Sequence, residues 1–370
     1  MRVLVVNAGS SSLKLSVLDD DAPVLSENLP TPRGRAEEDA VREAVERCGT
    51  VDAVGHRVVH GGDAFVQPVR VDDRVLKRID ALSDLAPLHQ PKSLRALELV
   101  GRVLPSVPAV ACFDTAFHAT IPPAAATYAL PAEWRKRWNL RRYGFHGLSH
   151  AYVAQRVAEL AGRAIEELRI VTCHLGAGAS LAAVAGGVSV DTTMGFTPLE
   201  GLVMATRSGS VDPGLVLWLE EHVGMPPSEL ASTLEHRSGL LGLTGSADMR
   251  AVLDAEAAGD ADARLAVEIY VHRLRREIGA MAASLDGLDV IAFTGGVGER
   301  SPEIRARAAA GLSFLGVALD ERVNAEATPD AEIGRAGASV RAFAIEARED
   351  LQIAREVRRV LTQPDSGGAT

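Results

Sequence analysis

The sequence predicts an α/β protein that contains two related halves. At 370 residues the chain exceeds the length at which one hydrophobic core stops growing, so two domains are expected. Residues 2–20 have the order strand, small-residue turn, strand. Residues 168–193 repeat that order and add a Gly186-Gly187 hairpin into a third strand. Apolar residues at helical spacing follow in each half, which indicates that strands and helices alternate.

The helices are predicted from apolar residues that recur at helical spacing. They occupy residues 92–104, 148–162 and 262–285. A further strand, 289–300, ends in a glycine turn before a helix that begins near Ser301. Residues 340–361 predict a last strand and a helix beginning at Glu349, where acidic side chains suit the helix dipole. Residues 362–370 are expected to form a frayed tail.

The composition indicates an acidic protein without a nucleic-acid partner. The net charge is −10, 47% of the residues are hydrophobic, and no run of Lys or Arg supplies a basic stripe. Cys48, Cys112 and Cys173 lack CxxC spacing, which argues against a disulfide framework or a zinc site and favours a reducing compartment. The sequence enters a strand pattern at Arg2, so no secretory leader is expected, and it has no apolar run of roughly 18 residues. We therefore expect a cytoplasmic protein with no membrane partner.

The first turn, within "VVNAGSSSLKLSVLD" at residues 5–19, has the donors that a phosphate needs. Gly9 and the small serines free backbone amides, and the serine hydroxyls and Lys14 add further donors. Asn7, at the end of the first strand, could hold a metal-bound water. Taken alone, the stretch is weak evidence, and a solvated, serine-rich hairpin is the more common explanation.

Two more glycine turns strengthen the case for a nucleotide. "HLGAG" at 174–178 and "TGGVG" at 294–298 both follow apolar strands. Three such turns in one chain suggest that two domains grip the phosphates and the nucleoside. The sequence has no GxGxxG, HExxH or Gx[ST]xG motif, so a nicotinamide cofactor, zinc hydrolysis and serine-esterase chemistry are not indicated.

Polar side chains also interrupt several apolar segments. They are Arg57, His89, Asp114, His146, His150 and Arg207. For each one a structural role is open: a core histidine, a buried salt bridge at Arg57, or a helix cap at Asp114. Because charged side chains are rarely buried unless they are paired, the set as a whole points to a cleft for an ionic ligand.

The motifs then resemble those of the acetate kinase family, in the same order, from residue 3 to residue 361. They are "VVNAGSSSLKLSVLD", "GHRVVHGG", "FDTAFHATIP", "RRYGFHGLSH", "HLGAGAS", "DTTMGFTPLEGLVMATRSGSVDPG" and "FTGGVGERSPEIR". The resemblance implies duplicated RNase H-like (actin-like ATPase) domains that close over MgATP. We expect an N-terminal domain of residues 1–115 plus 351–370 and a nucleotide-binding domain of 116–350 that also forms a homodimer.

The resemblance further implies a reversible, direct in-line transfer of the ATP γ-phosphoryl group to acetate. The products are acetyl phosphate and ADP, and the cofactor is Mg²⁺, which Mn²⁺ could replace. Acetate is already ionised at neutral pH, so the reaction needs cations that relieve repulsion between two anions more than it needs a base. By resemblance Arg57 binds the carboxylate, while Arg207 and His146 stabilise the transferred phosphoryl group. Asp114 belongs to the catalytic centre and is expected to orient Arg207 or a metal-bound water.

The remaining site residues are also implied by the resemblance. The acyl pocket is formed by Val59, Leu88, Phe145 and Pro198. The metal is held through Asn7 and Glu349, mostly by water. The ATP phosphates are held by Asn7, Ser10, Ser12, Lys14, His174, Leu175, Gly176, Ala177 and Gly178, and the nucleoside by Asp248, Met249, Arg250, Gly296, Val297, Gly298, Glu299 and Arg300. For Glu349 a helix N-terminal role is the alternative.

The sequence departs from the family pattern at four places. Gln90, Ala177 and Arg300 each stand where the family usually has Asn, and the segment around Glu349 is "AREDL" instead of "NEEL". Ala177 removes a side-chain donor near the phosphates, and Arg300 places a cation near the nucleoside. We therefore expect the reaction to be retained and the nucleotide preference to be altered.

Three other functions remain open at this point. A propionate or butyrate kinase is the nearest alternative. A sugar kinase fits less well, because a hydroxyl nucleophile requires a carboxylate base and Arg57 occupies the presumed acceptor site. An actin-like ATPase switch would share the fold but would not require Arg57, His146 and Arg207 together.

Overall fold

The computed structural model describes residues 1–9, 12–30, 35–85 and 90–362. The chain divides into two compact units. Unit 1 comprises Met1–Ala119, Phe145–Tyr152 and the described residues from Arg348 onward. Unit 2 comprises Thr120–Gly144 and Val153–Ala347.

Unit 1 contains a six-stranded sheet in its described part, with strand order β3-β2-β1-β4-β6-β5. The strands are β1 (Arg2–Ala8), β2 (Ser12–Asp19), β3 (Ala22–Pro30), β4 (Ala53–Val58), β5 (Val69–Arg70) and β6 (Ala109–Phe113). Its helices are α1 (Arg35–Arg47), α2 (Asp73–Asp80) and α3 (Gln90–Val103), with 3₁₀ turns at Ser83–Leu85 and Ala116–Thr120. The last helix, α15 (Glu349–Thr362), also packs in this unit.

Unit 2 contains a second six-stranded sheet, counted over the described residues, with strand order β11-β12-β10-β7-β8-β9. The strands are β7 (Arg169–Leu175), β8 (Ala179–Ala185), β9 (Val188–Thr192), β10 (Val290–Thr294), β11 (Ala331–Glu332) and β12 (Arg341–Ala344). The helices that precede its sheet are α4 (Pro123–Ala126), α5 (Ala132–Trp138) and α6 (Gly147–Ala161), whose first residues belong to unit 1. The 3₁₀ turn Ile165–Glu167 precedes β7.

The long insertion between β9 and β10 is helical. It contains α7 (Pro213–Trp218), a π turn (Leu219–Val223), α8 (Pro227–His236), α9 (Gly239–Thr244), α10 (Met249–Ala257) and α11 (Ala261–Ser284). After β10 follow α12 (Gly295–Arg300), α13 (Pro302–Ala310), a 3₁₀ turn (Ser313–Leu315) and α14 (Glu321–Glu326). Of the helices that the structure describes, none is both long and apolar enough to cross a bilayer.

The two sheets have the same connectivity. β1 pairs antiparallel with β2 and parallel with β4, and β7 pairs in the same two ways with β8 and β10. Written from the other edge, the order in unit 2 is β9-β8-β7-β10-β12-β11, which matches unit 1 strand for strand. The duplication predicted from the two strand–turn–strand segments is therefore confirmed.

The core of unit 1 lies between its sheet and the helices α1 and α3. Leu4, Val6, Leu15 and Val17 point from the central strands into a cluster with Val41 of α1. Val3 to Val6 are all buried, as expected for a central strand that is covered on both faces. Full burial of each such side chain stabilises the fold by about 1.5–3 kcal/mol, and this rigid layer holds the strand ends that carry the site.

The predicted helices are present, with one correction. The pattern at 92–104 corresponds to α3, that at 148–162 to α6 and that at 262–285 to α11. The prediction of a turn at 294–298 is wrong in part, because Gly295–Arg300 form the short helix α12. The buried Arg305 explains the difference, since its guanidinium donates to the carbonyls of Gly298 (2.9 Å) and Glu299 (2.7 Å), which would otherwise lack partners at a helix end.

The end of the chain follows the prediction as far as it is described. The pattern at 340–361 corresponds to β12 and α15, and α15 begins at Glu349 as expected. The tail beyond Thr362 lies outside the described residues.

Candidate active site

The ends of the parallel strands in unit 1 carry a buried ion pair. Arg57 is the penultimate residue of β4, and Asp114 directly follows β6. The Arg57 Nη2 lies 2.5 Å and its Nε 3.0 Å from the two carboxylate oxygens of Asp114. Asp114 is 1% exposed and the Arg57 side chain 14%. The salt-bridge alternative considered for Arg57 is thus realised, and the carboxyl ends of parallel strands are also where α/β sheets bind ligands.

Asn7 and Glu349 extend this pair into a network of four residues. The Arg57 Nη1 donates to the Asn7 Oδ1 at 3.1 Å, and the Asn7 Nδ2 donates to the Glu349 Oε2 at 3.0 Å. Glu349 also lies 3.9 Å from the Arg57 Nε. Among the residues that the structure describes, the network leaves one N–H on each of Nη1 and Nη2 of the five-donor guanidinium unused. One buried cation thus stands between two carboxylates and still has N–H groups for another anion.

The charges of this network reinforce one another. Burial by itself lowers the pKa of Arg57, but Asp114 and Glu349 outweigh it and raise the pKa well above its ordinary value. Burial raises the pKa of Asp114, and the salt bridge to Arg57 opposes that rise. Arg57 is therefore a permanent cation, held in position by its partners.

The donor set of unit 1 fits a magnesium ion that keeps most of its water. Mg²⁺ prefers carboxylate and amide oxygens, and proteins usually hold it through one or two carboxylates together with substrate phosphates. Glu349 and Asn7 supply such oxygens side by side. Over the described residues, no cluster of three or more His, Cys, Asp or Glu side chains forms a complete metal cage. The carboxylate of Glu349 and the amide oxygen of Asn7 are thus ligand types that fit Mg²⁺.

Phe145 and His146 occupy a tightly held loop at the start of α6. The Phe145 carbonyl lies 3.0 Å from the His118 Nε2, and the Phe145 ring meets the His60 ring edge-on with centroids 5.4 Å apart. His146 has a φ of +57°, a conformation that non-glycine residues rarely adopt and that clusters at functional sites. Burial lowers the pKa of both His60 and His118 to about 4, so these two rings are neutral supports.

Gly147 ties this loop to Asp114. Its amide donates to the Asp114 carbonyl at 2.8 Å, and a Cβ at this position would collide with the same carbonyl. The motif "YGFHG" therefore requires glycine at its last position because the two backbones touch. Within unit 1 the structure joins Asn7, Arg57 and Asp114 by hydrogen bonds, and His146 directly precedes the glycine that contacts Asp114.

The other predicted residues of unit 1 are placed as follows. Val59 and Phe145, expected in the acyl pocket, are both buried, and Lys14 stands opposite Asn7 in the β1–β2 register. The first turn is closed by the Gly9 amide, which donates to the Ser12 carbonyl at 2.8 Å. Ser10, Leu88 and His89 lie outside the described residues. Gln90, one of the departures, is fully buried and holds the His60 backbone from both sides.

Unit 2 carries a cavity of about 680 Å³ beside its glycine turn. Eight of the thirteen residues of this unit that were predicted to bind the nucleotide line it. These are Gly176, Ala177, Asp248, Met249, Arg250, Gly296, Val297 and Arg300. The turn itself is closed by the Gly176 amide, which donates to the Gly178 carbonyl at 2.9 Å. The two glycine motifs "HLGAG" and "TGGVG" thus border one cavity.

Some of the predicted residues do not line the cavity, and others that line it were missed. His174, Leu175, Gly178, Gly298 and Glu299 are not among the lining residues. The Glu299 carboxylate instead accepts a hydrogen bond at 2.9 Å from a backbone amide in the segment after β12. The apolar walls include Leu240, Leu253 and Tyr270, which sequence reasoning missed because they lie on helices with no phosphate-type motif nearby.

Arg207 lies in the loop before α7 and is held by three neighbours. Its Nη1 donates to the Pro198 carbonyl at 3.2 Å and lies 3.8 Å from the Met204 sulfur, and its Nε lies 3.7 Å from Glu235. Burial lowers its pKa, which Glu235 partly offsets, and an arginine remains charged under such a shift. Its side chain is 16% exposed, so it is a fixed cation with one accessible edge.

The chain resembles characterised carboxylate kinases over its whole length. A model described as the acetokinase family matches residues 36–355. An acetate kinase from Dictyoglomus thermophilum is 43% identical over 98% of this chain and 99% of its own length. The crystal structure of a Porphyromonas gingivalis acetate kinase covers 98% of this chain and 100% of its own, with a TM-score of 0.90 and 33% identity.

A second structural relative has a different acyl substrate in its name. The crystal structure of a propionate kinase from Francisella tularensis covers 97% of this chain and 99% of its own, also with a TM-score of 0.90 and 33% identity. These matches confirm the predicted fold class, duplicated RNase H-like domains of the actin-like ATPase type.

Proposed function

The chain belongs to the acetokinase family, and on that premise we propose that it transfers the γ-phosphoryl group of ATP reversibly to acetate, giving acetyl phosphate and ADP. As a member of this family it is a phosphotransferase. The observation that carries the choice of substrate is the buried Arg57, whose guanidinium is held by Asp114 and Asn7 and keeps unused donors. The geometry of such a fork matches a small carboxylate.

On the acyl side, Arg57 binds the carboxylate of acetate and the apolar residues receive its methyl group. Val59 and Phe145 are buried and apolar, which supports their predicted place in the acyl pocket with Leu88 and Pro198. Asp114 keeps the Arg57 guanidinium in one orientation, and its expected role of orienting Arg207 or a metal-bound water stays part of the proposal. Acetate needs no general base because it is ionised at neutral pH.

On the phosphoryl side, Arg207 and His146 stabilise negative charge on the group in transfer. A cation that is already in place stabilises the transition state more than the ground state, because negative charge on the transferred group develops in the transition state. The positive φ of His146 and the buried setting of Arg207 support such preorganised roles. The transfer is direct and in line, with no phosphorylated residue.

ATP and ADP are the co-substrates, and we assign them to unit 2. The cavity beside Gly176 and Ala177 has apolar walls for the nucleoside and backbone amides for the phosphates. Ser10, Ser12, Lys14 and His174 are proposed as further phosphate ligands. Asn7 and Glu349 would hold Mg²⁺, or Mn²⁺ in its place, through water. When bound, the metal neutralises charge on the phosphate oxygens.

Propionate is the second candidate substrate. The propionate kinase from Francisella tularensis matches this chain as well as the acetate kinase structure does, by both TM-score and identity. Acetate and propionate differ by one methylene, so the pocket around Val59 decides between them.

The assay that tests the proposal traps acyl phosphate with hydroxylamine. Purified protein is incubated with Mg²⁺, ATP and, in separate reactions, acetate, propionate, butyrate or no carboxylate, and ADP is measured in parallel. We expect acetate-dependent hydroxamate in an amount equal to the ADP formed. ADP formation that does not depend on any carboxylate would contradict the proposal and would favour an ATPase switch.

A homodimer is proposed on a pair of exposed faces in unit 2. The stretch 211–223 exposes Leu215, Leu217 and Trp218 beside Glu220 and Glu221. A second exposed face on the same unit, α5, presents Trp134 and Trp138 beside Arg135, Lys136 and Arg137. One face is acidic and the other basic, so two copies of the chain would complement each other.

The oligomeric state tests this pairing. We expect light scattering to give twice the mass of the chain, and Trp218→Asp to give a monomer with an unchanged circular dichroism spectrum. A wild-type monomer would contradict the proposal. A cytoplasmic location is proposed in addition, and the three buried free thiols, Cys48, Cys112 and Cys173, support a reducing compartment.

A further inference from the structure

Unit 2 contains a polar triad that sequence analysis did not single out. The Tyr128 hydroxyl donates to the Glu200 Oε2 at 2.6 Å, and the Arg142 Nη2 donates to the Glu200 Oε1 at 2.7 Å. The Arg142 guanidinium also lies over the Tyr128 ring, 5.7 Å from its centroid. These residues come from three separate segments of the chain, so the triad joins elements that are distant in sequence.

The triad holds the loop 193–201. The Phe196 amide donates to the Tyr128 hydroxyl at 2.9 Å, and the Arg142 Nη1 donates to the carbonyls of Thr193 (3.2 Å) and Met194 (3.0 Å). Gly195 lies between these anchors, and a Cβ there would collide with both the Glu200 carboxylate and the Tyr128 hydroxyl. The loop therefore packs directly against the triad, and position 195 has no room for a side chain.

The electrostatics keep Tyr128 and Arg142 each in one protonation state. Burial and the hydrogen bond to Glu200 raise the pKa of Tyr128 well above its ordinary value, so its hydroxyl remains a donor. Burial by itself lowers the pKa of Arg142, but Glu200 outweighs it and raises that pKa, so the guanidinium remains charged. Since Glu200 accepts from both, removal of one donor leaves a partly buried carboxylate short of a partner.

The same loop supplies the main contact of Arg207. Pro198, in the middle of the loop, accepts from the Arg207 Nη1 at 3.2 Å. Across the part of the chain that the structure describes, this carbonyl is the one oxygen within hydrogen-bonding distance of the Arg207 guanidinium, since Glu235 lies at 3.7 Å. The direction of the guanidinium thus depends on where the loop holds Pro198.

We propose that Tyr128, Arg142 and Glu200 are positioning residues that set the orientation of Arg207 through the loop 193–201. The inference rests on the proposed function, in which Arg207 stabilises the transferred phosphoryl group. A planar, directional cation stabilises a transition state only when it is aimed correctly, and a shift of about 1 Å costs up to a hundredfold in rate. The triad touches no reacting group and acts through Arg207.

Tyr128→Phe is the variant that tests the proposal. It keeps the ring and removes the hydroxyl that donates to Glu200 and accepts from Phe196. We expect kcat to fall about tenfold while KM for ATP changes less than about twofold, because none of the three residues lines the nucleotide cavity. If the triad had only a structural role, Tyr128→Phe would lower the melting temperature without lowering kcat selectively relative to KM.

Tyr143→Phe is the matched control. Its hydroxyl donates to the Asn139 carbonyl at 3.2 Å, away from Glu200, so the same chemical deletion should leave kcat within about twofold of wild type. Glu200→Gln is the second variant, in case Tyr128→Phe does not fold. It keeps the size of the side chain and removes its charge, and we expect the same selective loss of kcat.

A double-mutant cycle with Arg207→Ala shows whether the triad acts through Arg207. If it does, adding Tyr128→Phe to Arg207→Ala should change kcat by less than about twofold, because the group being positioned is already absent. Independent multiplication of the two losses, or a Tyr128→Phe enzyme with wild-type kcat, would overturn the inference and leave the proposed function intact. A wild-type protein that forms no hydroxamate would overturn the proposed function and this inference with it.

Discussion

The two units share one topology but carry different types of side chain at equivalent strand positions. In unit 1 the register places Lys14, Asn7 and Arg57 in one row across β2, β1 and β4. In unit 2 the same row across β8, β7 and β10 is Ser180, His174 and Thr294. The comparison of these two rows indicates that the topology determines where a ligand binds, at the ends of the central strands. The side chains determine which ligand it is.

The contrast continues in the way each unit satisfies its polar groups. In unit 1 the charged side chains at the strand ends bind one another, as in the pair Arg57–Asp114. In unit 2 the row contains no Asp, Glu, Lys or Arg, the turn consists of Gly176, Ala177 and Gly178, and the cavity beside it has both apolar and charged side chains in its walls. An ionic row suits a small anion and a metal, and an uncharged turn beside apolar walls suits a nucleoside with its phosphates.

The largest effect is expected from Arg207→Ala, which removes the buried cation of the loop in unit 2. Loss of a preorganised charge contact costs about 3 kcal/mol or more, so kcat should fall at least about a hundredfold. KM for ATP and acetate should change much less, because the charge is needed mainly in the transition state. Steady-state kinetics measures both quantities, and near-normal kcat would remove Arg207 from the catalytic residues.

Arg57→Ala should give the opposite signature and thus sharpen the contrast between the units. We expect KM for acetate to rise about tenfold or more while KM for ATP changes much less, because the nucleoside is assigned to the cavity of unit 2. The variant also leaves Asp114 as a buried carboxylate without its cation, which destabilises the protein by about 3–5 kcal/mol. Asp114→Asn combined with Arg57→Ala should recover part of the melting temperature without recovering acetate binding, and recovery of both would contradict the assignment.

The next largest effect is expected in the pH dependence of stability, to which the two units should contribute differently. His56 of unit 1 is fully buried, and burial lowers its pKa from 6.5 to about 3, whereas the equivalent position in unit 2 is Phe293. A folded-state pKa below the unfolded value means that the unfolded chain binds more protons, so stability falls as the pH drops below about 6.5. For His56 alone the loss between pH 7 and pH 5 is about 2 kcal/mol.

The variant His56→Phe tests this origin by giving unit 1 the residue of unit 2. Urea unfolding at pH 7 and pH 5 should show a smaller difference in the free energy of unfolding than the wild type shows. His60 and His118 titrate in the same direction, with pKa values lowered to about 4, so part of the slope should remain. An unchanged slope would show that His56 is not its source.

The same comparison shows which parts of the molecule were predictable from sequence. Strand–turn–strand segments and amphipathic helices are local patterns, so the duplication and the helices α3, α6 and α11 could be predicted. The partner of Arg57 could not, because Asp114 is 57 residues away and only tertiary packing joins them. The same holds for Tyr128 and Glu200, 72 residues apart. The helix α12 was predicted as a turn because its glycines oppose helix formation and the capping side chain, Arg305, follows later in the chain.

Acyl length should have a moderate effect. Each added methylene gains at most about 0.8 kcal/mol from burial, but a closed pocket must deform at a cost of about 1–3 kcal/mol. Propionate should therefore be poorer than acetate by roughly one order of magnitude in kcat/KM, and butyrate nearly inert. Val59→Ala should shift kcat/KM toward propionate. A wild-type preference for propionate or butyrate would place the chain with the longer-acyl kinases.

The smallest effect is expected at the nucleotide cavity of unit 2, where Arg300 is exposed at the wall. A guanidinium can stack on the face of any base, so it adds affinity without reading the base edge, and discrimination between ATP and GTP should be loose. Arg300→Asn supplies a directional donor and acceptor, and we expect the ratio of kcat/KM for ATP over GTP to rise about threefold to tenfold, or about 0.7–1.4 kcal/mol. Arg264→Asn, at an exposed arginine of α11 that does not line this cavity, is the matched control and should leave the ratio within about twofold. A strict wild-type preference for ATP that Arg300→Asn does not change would show that Arg300 does not contact the base.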